Sequence, residues 1–363
     1  MRRPVLYLIA AAYLCPAMIS AHDFEISLKD GQHLYFNITD STKHTVEVTY
    51  AGSITNPSRA KFNGTLVLTS KVRYNNKVYS ITSIGAKAFC DNTELKCVEL
   101  PTGLTQIGDF AFEGCSRLTR IVFPTNAVKI GTGAFFKCST LSSVALGSEW
   151  TTVNLKDFQW SKSLNHIKIP TRVKTIKNMK ALAWLQTIEV DSDNQYFKTT
   201  DGVLYSKNGE TLLGCPKGRQ ESLKVAEGTK TIRKGALADC RNLTLVVLPE
   251  SLKNLSFREF SLLTKLKTIV MKADTPIMTA RSNGKDVFLL NVANTDVKLV
   301  VNRKSKKEYT NKIASDTGEY TDIPNNQPSD GQDQMSTIPY PVDNAMAIGK
   351  DRIVGVKDFN EYQ

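Results

Sequence analysis

The sequence predicts an α+β repeat solenoid of about 23 residues per coil, with a parallel strand face and a small β-rich segment in front of it. Three observations predict it. The string Ile84-Gly85-Ala86-Lys87-Ala88-Phe89 recurs as Ile107-Gly108-Asp109-Phe110-Ala111-Phe112 and as Ile130-Gly131-Thr132-Gly133-Ala134-Phe135, each step being 23 residues. Apolar columns keep the same step downstream: Leu95, Leu118, Leu141, Leu164; then Val98, Ile121, Val144, Ile167; then Leu100, Phe123, Leu146, Ile169. Pro101, Pro124 and Pro170 follow the last column. Such self-similarity is the signature of stacked units that bury their apolar faces only against neighbours.

Each part of the unit has a physical reading. In Leu-x-x-Val-x-Leu the last two apolar positions alternate, which suits a short strand with one buried face. In Ile-Gly-x-x-Ala-Phe the apolar residues fall at i, i+4 and i+5, which suits a helical turn facing the same core. Pro after the strand cannot donate to a ladder and forces a corner. Gly after the Ile is expected to let the backbone turn tightly.

The period has defects. Leu185, Ile188 and Val190 arrive two positions early, and an insertion spans about residues 191–219. Within it, Asn208-Gly209 between Val203-Leu204-Tyr205 and Thr211-Leu212-Leu213 reads as a hairpin turn. The repeat resumes at Ile232, Leu243, Val246 and Leu248 and continues to Leu266, Ile269 and Met271. Val297 to Val301 reads as a last strand, and Ser305 to Tyr309 as a short helix capping the stack.

The string I-x-x-I-G-x-x-A-F-x-x-C-x-x-L-x-x-V-x-L-P resembles the BspA-type leucine-rich repeat of bacterial surface antigens. The insertion hairpin is similar to one that interrupts many arrays of that family. The segment from Asp23-Phe24-Glu25-Ile26 to Val46-Glu47-Val48-Thr49-Tyr50 resembles its β-rich N-terminal part. The resemblance covers about residues 22–323, and it departs from the general leucine-rich repeat in lacking a regular Asn ladder. It implies a cell-surface or secreted, adhesin-like protein that binds host or neighbouring-cell macromolecules. The alternative is a structural or carbohydrate-capturing surface protein.

Organisation and compartment follow from the ends. Arg2 and Arg3, an apolar run from Val5 to Ala17, and Ile19-Ser20-Ala21 read as a signal peptide over residues 1–21, cleaved after Ala21. A retained anchor is the other reading. The expected division is then 22–65 for the β-rich segment, 66–323 for the solenoid, and 324–363 for a flexible linker and tail, on account of Pro324, Pro328, Pro339 and Pro341 among polar residues.

The composition is 41% hydrophobic and 23% charged, which excludes a disordered or membrane class. The net charge of +12, or +10 once Arg2 and Arg3 are removed with the signal peptide, is spread evenly. It favours acidic partners over a defined nucleic-acid site.

Catalysis and metal binding find no support in the sequence. The chain holds four His, three of them (His22, His33, His44) in the N-terminal segment. No CxxC occurs, and no cofactor is implied. Cys115, Cys138 and Cys240 share one column, three residues before a core Leu, and read as small buried hydrophobes; a Cys115–Cys138 bridge is the alternative.

The candidate binding surface is the outward side of the strands. It carries Arg120, His166 and Lys168, together with Leu245, Val247 and Val270, which are expected to be exposed and to attract a partner or a cover. Trp150, Trp160 and Trp184 are expected in core or loop packing. The expected partners are extracellular proteins or anionic glycans, met by a monomer without a membrane-spanning segment.

Overall fold

The computed structural model describes residues 22–28, 31–52, 57–58, 61–126, 128–256, 258–277, 279–282, 285–287, 290–293, 296–312, 346–347 and 352–356. The expected signal peptide and the Pro-rich linker lie outside the described residues. The chain divides into two compact units, Met1–Lys177 and Asn178–Gln363.

In the first unit each coil contributes to two parallel ladders. One contains Leu95–Glu99, Arg120–Val122 and Ser143–Ala145, edged by Gly64–Val67. Arg120 pairs with Cys97 on one side and Ser143 on the other, so the repeat step of the sequence is the hydrogen-bond register. The other ladder runs Lys77–Ile84, Gln106–Ile107, Lys129–Ile130, again one repeat per step. Ile107, Phe112, Leu118 and Ile121 are fully buried between the ladders.

The Phe column forms a stack. Phe89 and Phe112 lie 5.1 Å apart at 13°, Phe112 and Phe135 5.4 Å apart at 6°, and Phe135 and Phe158 5.6 Å apart at 21°. Offset stacking of this kind adds to the area each ring buries.

The N-terminal segment is a three-stranded meander of β1 (Phe24–Ser27), β2 (His33–Asp40) and β3 (Thr45–Thr49). β3 runs parallel to Lys77–Ile84 and takes the place of a preceding coil. Its Val48 carbonyl accepts from the Gly85 amide, as the Ile84 carbonyl accepts from Gly108 and that of Ile107 from Gly131. The meander thereby covers apolar edges that the first coil leaves open.

The expected helical turn after each Ile-Gly is absent. Lys87, Phe110 and Gly133 have φ of 57°, 55° and 62°, and Asp91, Gly114 and Lys137 have φ of 59°, 72° and 58°. Residues in this left-handed region break a right-handed helix. The amides alternate in use. Those of Ala88 and Cys90 donate back within the coil, to Gly85 and Lys87, whereas those of Lys87, Phe89 and Asp91 donate to Asp109, Ala111 and Glu113 of the next coil. A helix would spend every amide internally, and this laced turn spends half of them on its neighbour. The chain is accordingly strand-rich. Among the described residues the one α-helix is α1 (Lys306–Lys312), beside two short 3-10 turns.

The glycine after each Ile also differs from expectation. A Cβ on Gly108 would lie 2.5 Å from the Ala86 amide nitrogen, and one on Gly131 would lie 2.6 Å from that of Asp109. Close approach of the preceding coil, not left-handed torsion, requires glycine there.

In the second unit the hairpin Val203–Ser206 and Thr211–Gly214 forms as expected, and its second strand pairs in parallel with Thr231–Ile232. The main ladder is Glu221–Lys224, Leu243–Leu248, Thr268–Met271, Lys298–Asn302 and Ile353–Val356, all parallel. The last of these strands falls where the sequence predicts a flexible tail. Ile353 is 2% exposed, which ties it to the core. Tyr309 of α1 is fully buried, and its hydroxyl donates to the Ala273 carbonyl at 2.8 Å.

Among the described residues the six cysteines form no disulfide. Cys115 Sγ donates to the Phe89 carbonyl at 3.2 Å and Cys138 Sγ to that of Phe112 at 3.1 Å. The adjoining Cys138 thiol, and then burial, push the Cys115 thiol far above its ordinary range.

Candidate binding face

The parallel ladder of the first unit sorts its side chains by the two-residue alternation of a strand. Ile121, Val144 and Ile167 point inward and are 0%, 7% and 1% exposed. Their neighbours point to solvent: Arg120, Ser143, His166 and Lys168 are exposed, with Cys97, Glu99, Val122 and Ala145 half-buried. Strand His166–Ile169 packs beside Ser143–Ala145. Arg120 and His166 therefore stand on strands two apart, with Ser143 on the strand between them. The Arg120 strand is held by ladder bonds on both sides, to Cys97 and to Ser143, whereas Ser143–Ala145 edges that ladder and His166–Ile169 lies outside it.

The charges beside this face are partly consumed within the scaffold. Arg117 pairs with Glu94 and Arg172 with Glu149, each across one repeat step. Pairs as exposed as these contribute little to stability.

The second unit behaves differently from expectation. Val247 is 3% exposed, Val270 0% and Val300 2%, and the three form a separate apolar cluster with half-buried Leu245 packed against it. Val247 and Val270, expected to be open to solvent, are not. The alternation that exposes a residue in a one-sided sheet buries it in a two-sided one, and these strands have apolar residues on both sides. The face thus keeps Arg120, His166 and Lys168 on one unit, and loses Val247 as a surface residue on the other.

The tryptophans also divide. Trp150 is 4% exposed and donates its indole N–H to the Asn126 carbonyl at 3.0 Å, as expected of packing. Trp160 and Trp184 are 47% and 38% exposed. Among the described residues no group of three or more His, Cys, Asp or Glu is placed to hold a metal, and no helix is long and apolar enough to cross a membrane.

Stacked repeats that pair in parallel ladders, joined by short turns and with Leu, Val and Ile columns between them, define the leucine-rich-repeat fold. The chain belongs to the BspA-type leucine-rich repeat family, whose pattern matches in six copies over residues 58–197 and 216–284. Similar solved structures include the pneumococcal vaccine antigen PcpA, at 17% identity and a TM-score of 0.45 over 81% of this chain and 97% of that one. A leucine-rich cell surface protein of Faecalibacterium prausnitzii is 18% identical, with a TM-score of 0.38 over 82% and 94%. A leucine-rich-repeat protein of Bacteroides ovatus is 17% identical, with a TM-score of 0.40 over 74% and 77%. No curated protein matches the chain.

Proposed function

We propose that this protein is exported after cleavage behind Ala21 and acts at the cell surface or outside the cell as an adhesin-like recognition protein, not as an enzyme. Its strand face in the first unit engages acidic extracellular macromolecules of the host or of neighbouring cells. The observation that supports this is the exposed set Arg120, His166 and Lys168 on strands whose alternate residues are buried. A rigid array of this kind binds with little reordering of its own side chains. The net charge of +10 that remains after cleavage aids recruitment, and that contribution weakens with salt.

The test is a pair of charge reversals read against immobilised matrix glycoproteins. Arg120→Glu with Lys168→Glu lowers affinity at least tenfold while the unfolding midpoint holds. The control pair, Lys87→Glu with Lys234→Glu, reverses exposed charges on the laced turns. Equal loss from both pairs shows only general attraction and removes the strand face from the assignment.

A further inference from the structure

The laced turns of the first unit carry an aromatic surface. Trp160, 47% exposed, meets Phe136 edge-on with ring centroids 6.0 Å apart at 84°. Lys137 Nζ stands 5.0 Å from the centre of the Phe136 ring and 3.5 Å from Glu113 Oε1. One coil earlier, Phe110 lies across Gly133, where an added Cβ would come within 2.6 Å of its ring.

The backbone under two of these rings is unfavourable for them. Trp160 has φ 79° and Phe110 φ 55°. Bulky side chains are outliers in the left-handed region. In the same columns other coils place Gly114 at φ 72° and Gly133 at φ 62°, or the unbranched polar residues Lys87, Asp91 and Lys137 at 57°, 59° and 58°, so Trp160 and Phe110 are the aromatic rings held there. Glycine adopts that conformation without steric cost. Trp150 recovers the cost of ordering an indole through burial and a hydrogen bond, whereas Trp160 leaves almost half its surface in water. Strain held at an exposed position points to use of that position.

We infer that Trp160, Phe136 and Lys137, flanked by Phe110 and Glu113, form a glycan-binding platform that takes the apolar face of a pyranose ring. The sugar C–H face packs on the open indole, which buries apolar area at low conformational cost. The Lys137 ammonium donates to sugar hydroxyls and the Glu113 carboxylate accepts from them. A single open ring beside one donor and one acceptor matches a monosaccharide unit better than a protein surface, which needs a far larger patch. The platform is separate from the strand face, and neither reading rests on the other.

The experiment is calorimetric titration of the full chain with cellohexaose, maltohexaose and mannohexaose, all uncharged. The wild type binds at least one of them. Trp160→Gly keeps or raises the unfolding midpoint, since glycine suits the positive φ at that position, yet lowers affinity at least tenfold. The Arg120→Glu, Lys168→Glu pair leaves sugar binding unchanged. Wild type that binds none of the three, a glycine variant that binds as wild type does, or binding that follows the strand-face pair overturns the inference. Should the glycine variant lose its fold, hydroxyl-radical footprinting of the wild type decides. Protection of Trp160 by the bound hexamer, with Trp184 unchanged, supports the platform, and no protection of Trp160 overturns it.

Discussion

Glu259 lends its side chain to Gly235 where other coils lend backbone. The Gly235 amide donates to Glu259 Oε1 at 2.5 Å, and the Leu237 amide donates to Oε2 at 3.2 Å. Gly235 and Leu237 occupy the places of Lys87 and Phe89, whose amides reach the Asp109 and Ala111 carbonyls of the next coil. Glu259 itself stands in the column of Ala111 and is 3% exposed. A carboxylate has thus replaced two carbonyl acceptors in the lacing of the second unit. Glu259→Gln retains one acceptor and turns an N–H toward the other amide, so it destabilises by about 1–3 kcal/mol in denaturant unfolding. Glu259→Ala costs more, because both buried amides lose their partners. A Gln variant as stable as wild type contradicts this role.

Phe112→Ala opens a gap between two stacked rings that the ladders on both sides cannot close. The expected cost is about 3–5 kcal/mol, read from urea unfolding. A loss below about 1 kcal/mol would mean that the stack does not support the first unit.

Asp157 sets a pH dependence. Burial raises its carboxyl to about 7, against which the Asn154 amide, donating to Oδ1 at 2.7 Å, and Lys156 pull downward. The folded state therefore holds a proton that the unfolded chain has already lost, between the ordinary carboxylate range and about 7. Stability from this group is full below that window and falls as pH rises through it. Asp157→Asn keeps an acceptor for Asn154 and removes the titration. It raises stability at pH 8 by about 1–2 kcal/mol, after allowance for solvent screening. Midpoints measured from pH 4 to 8 show a flatter profile in the variant. An unchanged profile refutes the assignment.

The buried cysteines are expected to be inert thiols. Cys115 and Cys138 donate to carbonyls of the coil before, and Cys240 donates to that of Cys215 at 3.6 Å. The neighbouring Cys215 and burial hold the Cys240 thiol well above its ordinary range. Iodoacetamide at pH 8 leaves all three unmodified in the folded protein and labels them once urea unfolds it. A mass two units short in the unreduced unfolded protein would reveal a bridge instead.

Gly108→Ala tests the close approach of coils. Its Cβ would meet the Ala86 backbone at 2.5 Å, and backbone does not yield as a side-chain tip does. The expected loss is about 1–3 kcal/mol, the usual cost of overpacking. Gly103→Ala, with no atom within 4 Å but φ of 90°, carries only the torsional cost and serves as comparison.

The repeat step, the inward columns and the hairpin at Asn208-Gly209 were legible because burial alternation and turn chemistry are written locally. Arg120, His166 and Lys168 were legible as exposed for the same reason: each lies beside an inward residue of its own strand. Four features were decided only by tertiary structure. The laced turn has the apolar spacing of a helix, and its left-handed residues follow from hydrogen bonds to a neighbouring coil that a single repeat does not contain. The role of Glu259 depends on which amides that neighbour leaves open. Ile353–Val356 is a short run among charges, and it becomes a strand by pairing with Leu299–Asn302, far earlier in the chain. Val247 and Val270 had their exposure reversed from expectation. Periodicity states which side of the chain a residue faces, whereas only the packed neighbours determine whether that side meets water.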